Sequence, residues 1–96
     1  MSERMDVLTT LAIEALVART AWNMANEREQ EAREEVRQAR ARLRKSRRPD
    51  GLNSGRQRSY VTASERHEVA KERLRKAGGR RDRAVAALLQ WIEVHA

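Results

Sequence analysis

Small or apolar residues return at alternating steps of three and four from Leu8 to Leu43. The series is Leu8, Leu11, Ala15, Ala18, Trp22, Ala25, Glu29, Ala32, Val36, Ala39 and Leu43, and Glu29 alone interrupts it. Such a 3.5-residue period belongs to a helix that buries one seam against a partner helix. The pattern is sharpest between Glu27 and Arg48, where of five apolar residues only Ala41 lies off the stripe. No Gly or Pro falls between Ser2 and Arg47, and Pro49-Asp50-Gly51 is a strong stop, so one long helix is predicted over 2–47. A second stripe repeats the same steps through His67, Ala70, Leu74, Ala77, Arg81, Ala84, Leu88, Trp91 and His95. Thr62-Ala63-Ser64-Glu65 matches a capping box ahead of it. The expected plan is therefore a polar connector over 48–61 and a second helix over 62–95.

Gly78-Gly79 sits inside the second stripe. Each Gly costs a helix about 1 kcal/mol relative to Ala, which makes 78–79 a place for a break. The stripe nevertheless keeps its register from Ala77 to Arg81, and a large neighbouring side chain packed there would tolerate the pair. The reading here favours continuity.

Two helices joined by a short connector lie antiparallel. The predicted fold is all-α: one domain over 1–96, an antiparallel, coiled-coil-like two-helix hairpin that self-associates into a helical bundle. The charge pattern fits this arrangement. Residues 27–35 carry five Glu against two Arg, a net of −3, while residues 71–83 carry seven Lys and Arg against Glu72 and Asp82, a net of +5. Folding back at the connector sets these blocks side by side and brings Glu29 towards Arg81, a pairing that selects register more than it stabilises. The alternative is two solvated charge runs that never touch. At the open end, Ile13, Leu16, Val17 and Met24 lie across the first helix from its stripe, and Val85, Leu89 and Ile92 widen the apolar surface of the second. A lone hairpin cannot cover all of these, so the expected oligomer interface is Leu11, Ile13, Leu16, Val17, Trp22, Leu88, Leu89, Trp91 and Ile92.

Composition narrows the class. A chain of 96 residues without Phe or Cys has neither a ring-rich core nor disulfides to stabilise it, and long packed helices or oligomerisation are the usual remedy. Lack of Cys fits a reducing compartment. Asp6 and Glu14 interrupt the apolar run from Val7 to Ala18, and no stretch approaches the roughly 20 apolar residues that span a bilayer. A cytoplasmic protein with no membrane partner is expected. The formal charge is +7, and all but three of the 21 basic residues are Arg. A GC-rich genome accounts for Arg enrichment as readily as function does, yet the charge still favours acidic partners.

That charge is concentrated at the hairpin tip. Between Arg37 and Arg58 lie nine basic residues (Arg37, Arg40, Arg42, Arg44, Lys45, Arg47, Arg48, Arg56 and Arg58) opposed only by Asp50, a net of +8. Arg makes bidentate contacts to phosphate, and a Gly/Ser connector lets several converge on a backbone. Arg40, Arg44, Lys45, Arg47, Arg48, Arg56 and Arg58 are the candidate contacts to nucleic acid or to an acidic protein. Tyr60 is either a stacking platform for a base or a hydrophobic support for the loop.

Arg58-Ser59-Tyr60-Val61-Thr62, the Gly78-Gly79 pair, and the apolar series Ala84, Val85, Leu88, Leu89 and Ile92 together resemble the ribbon–helix–helix DNA-binding family. The resemblance covers residues 58–92 and implies a strand, a helix, a Gly turn and a second helix. It also implies a dimer whose paired strands enter the major groove. Arg66 and His67 depart from it, standing where the family carries an apolar anchor, and a long N-terminal helix is foreign to it.

Catalysis has little to work with. His67 and His95 stand 28 residues apart, and only the adjacent Glu68 accompanies them. No phosphate loop, nucleophile motif or metal-ligand spacing occurs, so no metal, cofactor or small-molecule substrate is expected. Two readings follow. The first is a non-enzymatic oligomer that grips nucleic acid through its tip. The second is an adaptor or inhibitor of the phage or plasmid accessory type, acting through an apolar helix face or through the tip on an acidic protein.

Overall fold

The computed structural model describes residues 3–45 and 54–96. They form two α-helices, α1 (Glu3–Lys45) and α2 (Ser54–His95), packed antiparallel as a hairpin 72 × 19 × 13 Å in extent. The hairpin is two helices wide and one helix thick. No strand occurs among the described residues.

The first stripe forms the seam residue for residue. Ala18, Glu29, Ala32 and Ala39 are buried, and Leu8, Leu11, Ala15, Trp22, Ala25, Val36 and Leu43 are half-buried. In the second stripe only His95 is exposed. The buried residues are almost all Ala, and no large side chain is fully buried. Burial stabilises by about 25 cal/mol per Å² of apolar surface, so an Ala seam contributes little per contact. The small residues serve chiefly to let the helices approach closely.

Helix α2 starts earlier than the capping box predicts. Residues 54–61, assigned to the connector, are helical, and Thr62-Ala63-Ser64-Glu65 lies inside α2. Tyr60 and Ala63 extend the second stripe backwards by steps of three and four. Ala63 is buried and Tyr60 half-buried, so packing on α1 outweighs both the local cap and the cost of Gly55. The predicted end of the first helix at Arg47, and the Pro49-Asp50-Gly51 stop, lie outside the described residues.

The earlier start also moves the register. Residues that meet across the hairpin include Glu29 with His67, Trp22 with Gly78, Arg40 with Tyr60, Arg42 with Arg56 and Glu14 with Arg80. Their numbers sum to between 94 and 100, whereas the expected Glu29–Arg81 pair sums to 110. Glu29 therefore faces His67, and Arg81 lies against Trp22 with its guanidinium carbon 4.3 Å from the ring centroid. The 27–35 and 71–83 blocks slide past each other for the same reason. Among the described residues the ion pairs of the two blocks lie mostly within one helix, as in Arg33–Glu29, Arg37–Glu34 and Arg75–Glu72.

Gly78-Gly79 does not break α2, and no Gly has positive φ among the described residues. The reason is Trp22. Its indole lies over Gly78, where an added Cβ would sit 3.5 Å from Cδ1 and Nε1. The guanidinium of Arg81 covers the ring, an attraction of about 0.5–2 kcal/mol. A bulky side chain thus occupies the flat spot that the glycine leaves.

Candidate nucleic-acid interface at the hairpin tip

Helices α1 and α2 bring cations from both ends of the connector to one place. Segments 38–45 and 54–64 together contain Arg40, Arg42, Arg44, Lys45, Arg56 and Arg58 and no acidic residue. Arg40 and Arg56 hold the tip together; Arg42, Arg44, Lys45 and Arg58 are exposed, with Glu35 beside Arg42 and Arg58 and Glu65 beside Arg58. Arg47 and Arg48 lie outside the described residues. Arg37 belongs less to the tip than its position suggests, because Glu34 one turn earlier on α1 pairs with its guanidinium through two hydrogen bonds. That pairing holds the Glu34 carboxyl below its ordinary range.

Helix physics accounts for only half of this charge. Arg42, Arg44 and Lys45 occupy the last turn of α1, where cations interact favourably with the helix dipole. Arg56 and Arg58 sit at the start of α2, whose first turn contains no acid. Arg56, inside that first turn, meets the positive end of the dipole, at a cost of order 0.3–1 kcal/mol. Arg56 partly offsets this cost by donating from Nη1 to the Arg42 carbonyl at 3.1 Å. Arg58 is exposed.

Arg40 and Tyr60 tie the helices together just inside the tip. The guanidinium lies 5.8 Å from the ring centroid, and Nη2 donates to the phenol oxygen at 3.3 Å. The hydrogen bond from Arg40 also lowers the Tyr60 pKa from its ordinary value, with a smaller contribution from Ser64. Tyr60 is thus half-buried against α1 and engaged by Arg40.

A groove of about 370 Å³ runs along one side of the tip and is lined by Arg42, Arg58, Arg66, Ser59, Thr62, Gln38 and Glu35. It gathers three guanidiniums and several hydroxyl or amide groups around one carboxylate, a donor set suited to phosphate oxygens. Arg66 was not among the sequence candidates. Its signal was present: Arg66, Arg73 and Arg80 recur every seven residues and so line one edge of the seam. The adjoining groove, about 650 Å³, carries this edge towards mid-hairpin with Arg28, Arg66 and Arg73 beside Glu65.

The seam beneath the interface contains one polar layer. Glu29, 3% exposed, accepts a hydrogen bond from His67 Nε2 at 3.0 Å, which places that nitrogen's proton towards the carboxylate. Arg33 adds contacts from Nη2 at 2.7 Å and Nε at 3.2 Å to the same oxygen. The His67 hydrogen bond is the main reason the Glu29 pKa falls below its ordinary value, against the opposing pull of burial and with help from Arg33. At the other end of α2, His95 stacks on Trp91 at 4.2 Å and donates from Nδ1 to the Trp91 carbonyl at 2.8 Å, closing the helix terminus.

The expected oligomer interface divides in two. Leu11, Trp22, Leu88 and Trp91 are half-buried members of the seam, whereas Ile13, Leu16, Val17, Leu89 and Ile92 are exposed. Residues 58–62, the strand in the ribbon–helix–helix resemblance, are helical, and its Gly78-Gly79 turn is continuous helix. Among the described residues no helix is long and apolar enough to cross a membrane, and no cluster of three or more His, Cys, Asp or Glu suits a metal ion. Comparison with protein-family models, curated proteins and solved structures finds no match to this chain.

Proposed function

We propose that this chain is a non-enzymatic, self-associating helical hairpin of the cytoplasm that grips the phosphate backbone of nucleic acid with its basic tip. The observation that carries the reading is the convergence of Arg42, Arg44, Lys45 and Arg58 from two helices, a cluster in which cations outnumber the nearby carboxylates of Glu35 and Glu65. The groove between Arg42, Arg58 and Arg66 extends the contact along one side of the hairpin. Recognition of this kind neutralises phosphates and carries little base readout. No exposed aromatic side chain supports base stacking at the tip, since Tyr60 is engaged by Arg40.

The test is a titration of generic duplex DNA and RNA across salt concentrations, with Arg42, Arg44, Lys45 and Arg58 replaced together by Gln. Arg40 and Arg56 are left in place because they hold the tip. Binding of the unaltered chain should weaken steeply with salt. Each lost phosphate contact should flatten the log–log slope by about 0.9. Absence of binding at low salt contradicts the reading and favours the second one, an adaptor acting on an acidic protein, for which the exposed apolar face of the open end is the specific support.

A further inference from the structure

We propose that the cationic cleft along one face of the hairpin holds a single strand of nucleic acid lengthwise, a narrower substrate class than the tip reading on which it rests. The tip groove and the mid-hairpin groove are one cleft. Thr62 and Arg66 line both, so the part with Arg42 and Arg58 runs on into the part with Arg28 and Arg73. The groove on the other face, around Trp22 and Leu88, shares no lining residue with either and has its Arg81 against the Trp22 ring. Continuity with the tip, rather than net charge, singles out the first face.

The cations of this cleft are available to a ligand. Arg33, Arg37, Arg75, Arg80 and Arg81 each meet a carboxylate. Among the described residues none of Arg28, Arg42, Arg58, Arg66 and Arg73 forms an ion pair. They stay unpaired although Glu35 and Glu65 line the same cleft and Glu31 shares the α1 edge by its spacing from Arg28 and Glu35. Arg80, seven residues beyond Arg73, is held by Glu14 at 2.9 Å, and the row ends there. From Arg58 to Arg73 the helix runs straight for about 22 Å. That length suits on the order of four nucleotides, the small end of single-strand site sizes.

Shape and floor favour a single strand over a duplex. Helices packed on an alanine seam stand about 8–10 Å apart between axes. A duplex, whose major groove alone is about 12 Å wide, bridges the rim of such a cleft and does not reach its floor. Its backbone also winds away from a straight row of guanidiniums, which a single strand can follow. Between the two edges the floor is apolar, with Met24 and Val69 exposed and Ala21, Ala25 and Ala70 half-buried. Paired bases are stacked away from this floor. An unpaired base can lie on it, and the Met24 thioether suits an aromatic ring. Phosphates on the rim and bases on the floor need no readout of base edges, so the cleft accepts strands of any sequence.

The test is an anisotropy titration of the full chain with a labelled oligothymidylate and with a duplex of equal phosphate number. The unaltered chain is compared with Arg28→Gln, Arg73→Gln. Both residues are exposed and lie away from the tip, so helicity and melting temperature should stay unchanged. The unaltered chain should bind the single strand more tightly than the duplex. The double variant should lose about tenfold on the single strand near physiological salt and flatten its log–log slope by about 1.4, two contacts at about 0.7 each. Its duplex binding should change by about twofold at most. Equal losses on both probes, or no loss on the single strand, overturn the proposal and leave the tip reading standing, since the four-Gln tip variant tests that reading separately. Absence of binding to either probe by the unaltered chain overturns both. Displacement of the single strand by polyglutamate more readily than by unlabelled oligothymidylate of equal charge gives the cleft to an acidic protein and likewise overturns the proposal.

Discussion

The two ends of this hairpin share one seam and differ in everything outside it. At the tip, segments 38–45 and 54–64 carry six cations and no acid, and of their large apolar side chains only Val61 is exposed. At the open end, Met5, Val7, Ile13, Leu16, Val17, Val85, Leu89, Ile92 and Val94 are exposed, and the charges are balanced in sign. An Ala seam, which contributes little stability per residue, joins them. The contrast teaches that the seam sets geometry while the ends engage other molecules. Phosphate suits one end and apolar surface suits the other. Between them the Glu29–His67 layer fixes which residues come opposite which, and so where each end lies.

The largest effect expected from this contrast is on binding. Gln at Arg42, Arg44, Lys45 and Arg58 should reduce nucleic-acid affinity by roughly two to three orders of magnitude near physiological salt if all four meet phosphate. Thermal stability should change little, because these side chains are exposed. Gel-shift or anisotropy titrations, paired with thermal melts, check both halves. Loss of affinity through unfolding would show at once as a lowered melting temperature.

Next in size is the polar layer. His67→Ala leaves the Glu29 carboxylate buried with only the exposed Arg33 as partner, a loss of about 1–3 kcal/mol in denaturant unfolding. Replacing the pair together, as Glu29→Met with His67→Leu, should instead cost little, since apolar residues of similar volume can replace a buried ion pair. The double variant should then lose register. A Cys pair at Arg40 and Tyr60 should cross-link cleanly in the parent chain and less selectively without the layer.

Acid should act through the same residue. The folded-state pKa of Glu29 is lowered, with the His67 hydrogen bond as the chief cause. Its contribution is therefore fully present above the unfolded carboxyl value of 4.5 and is lost as pH falls through the folded value. Unfolding free energy should decline below about pH 4.5 and decline less steeply in Glu29→Gln. Equal pH profiles for the two chains would remove Glu29 from the account.

The fold was legible in the sequence to an unusual depth, and each shortfall has one cause. Every member of the first stripe from Leu8 to Leu43, including the charged Glu29, lies in the seam, because a strict 3.5-residue period leaves few alternatives; half-buried Ala12, Ala21 and Asn26 flank it outside the stripe. The start of α2 was misplaced because a local cap at Thr62 competes with packing by Tyr60 and Ala63, which takes effect only once α1 lies alongside. That single displacement moved the register, so the expected Glu29–Arg81 pair became Glu29–His67 and Arg81–Trp22. At the candidate site, the run of Arg along the chain exposed the tip but hid Arg66, which joins the groove through a seven-residue spacing. Arg37 was counted with the tip because its neutralisation by Glu34, one turn earlier, shows only on a helix.

The smallest predicted effect sharpens the reading of α2. Gly79→Ala should be neutral or stabilising by up to about 1 kcal/mol, since it removes unfolded-chain entropy from a helical position. The nearest atom to the new Cβ is the mobile end of Arg83 at 3.3 Å. A loss of 1 kcal/mol in chemical denaturation would instead indicate a turn at Gly78-Gly79.

The division of labour between the two ends is tested most directly by one salt titration on a duplex too short to bridge two tips. The unaltered chain, the four-Gln tip variant and the Leu16→Glu, Leu89→Glu open-end variant are compared side by side. The log–log salt slope should flatten by about three to four units in the tip variant and stay unchanged in the open-end variant. A tip variant that keeps the full slope, or an open-end variant that loses it, would contradict the account.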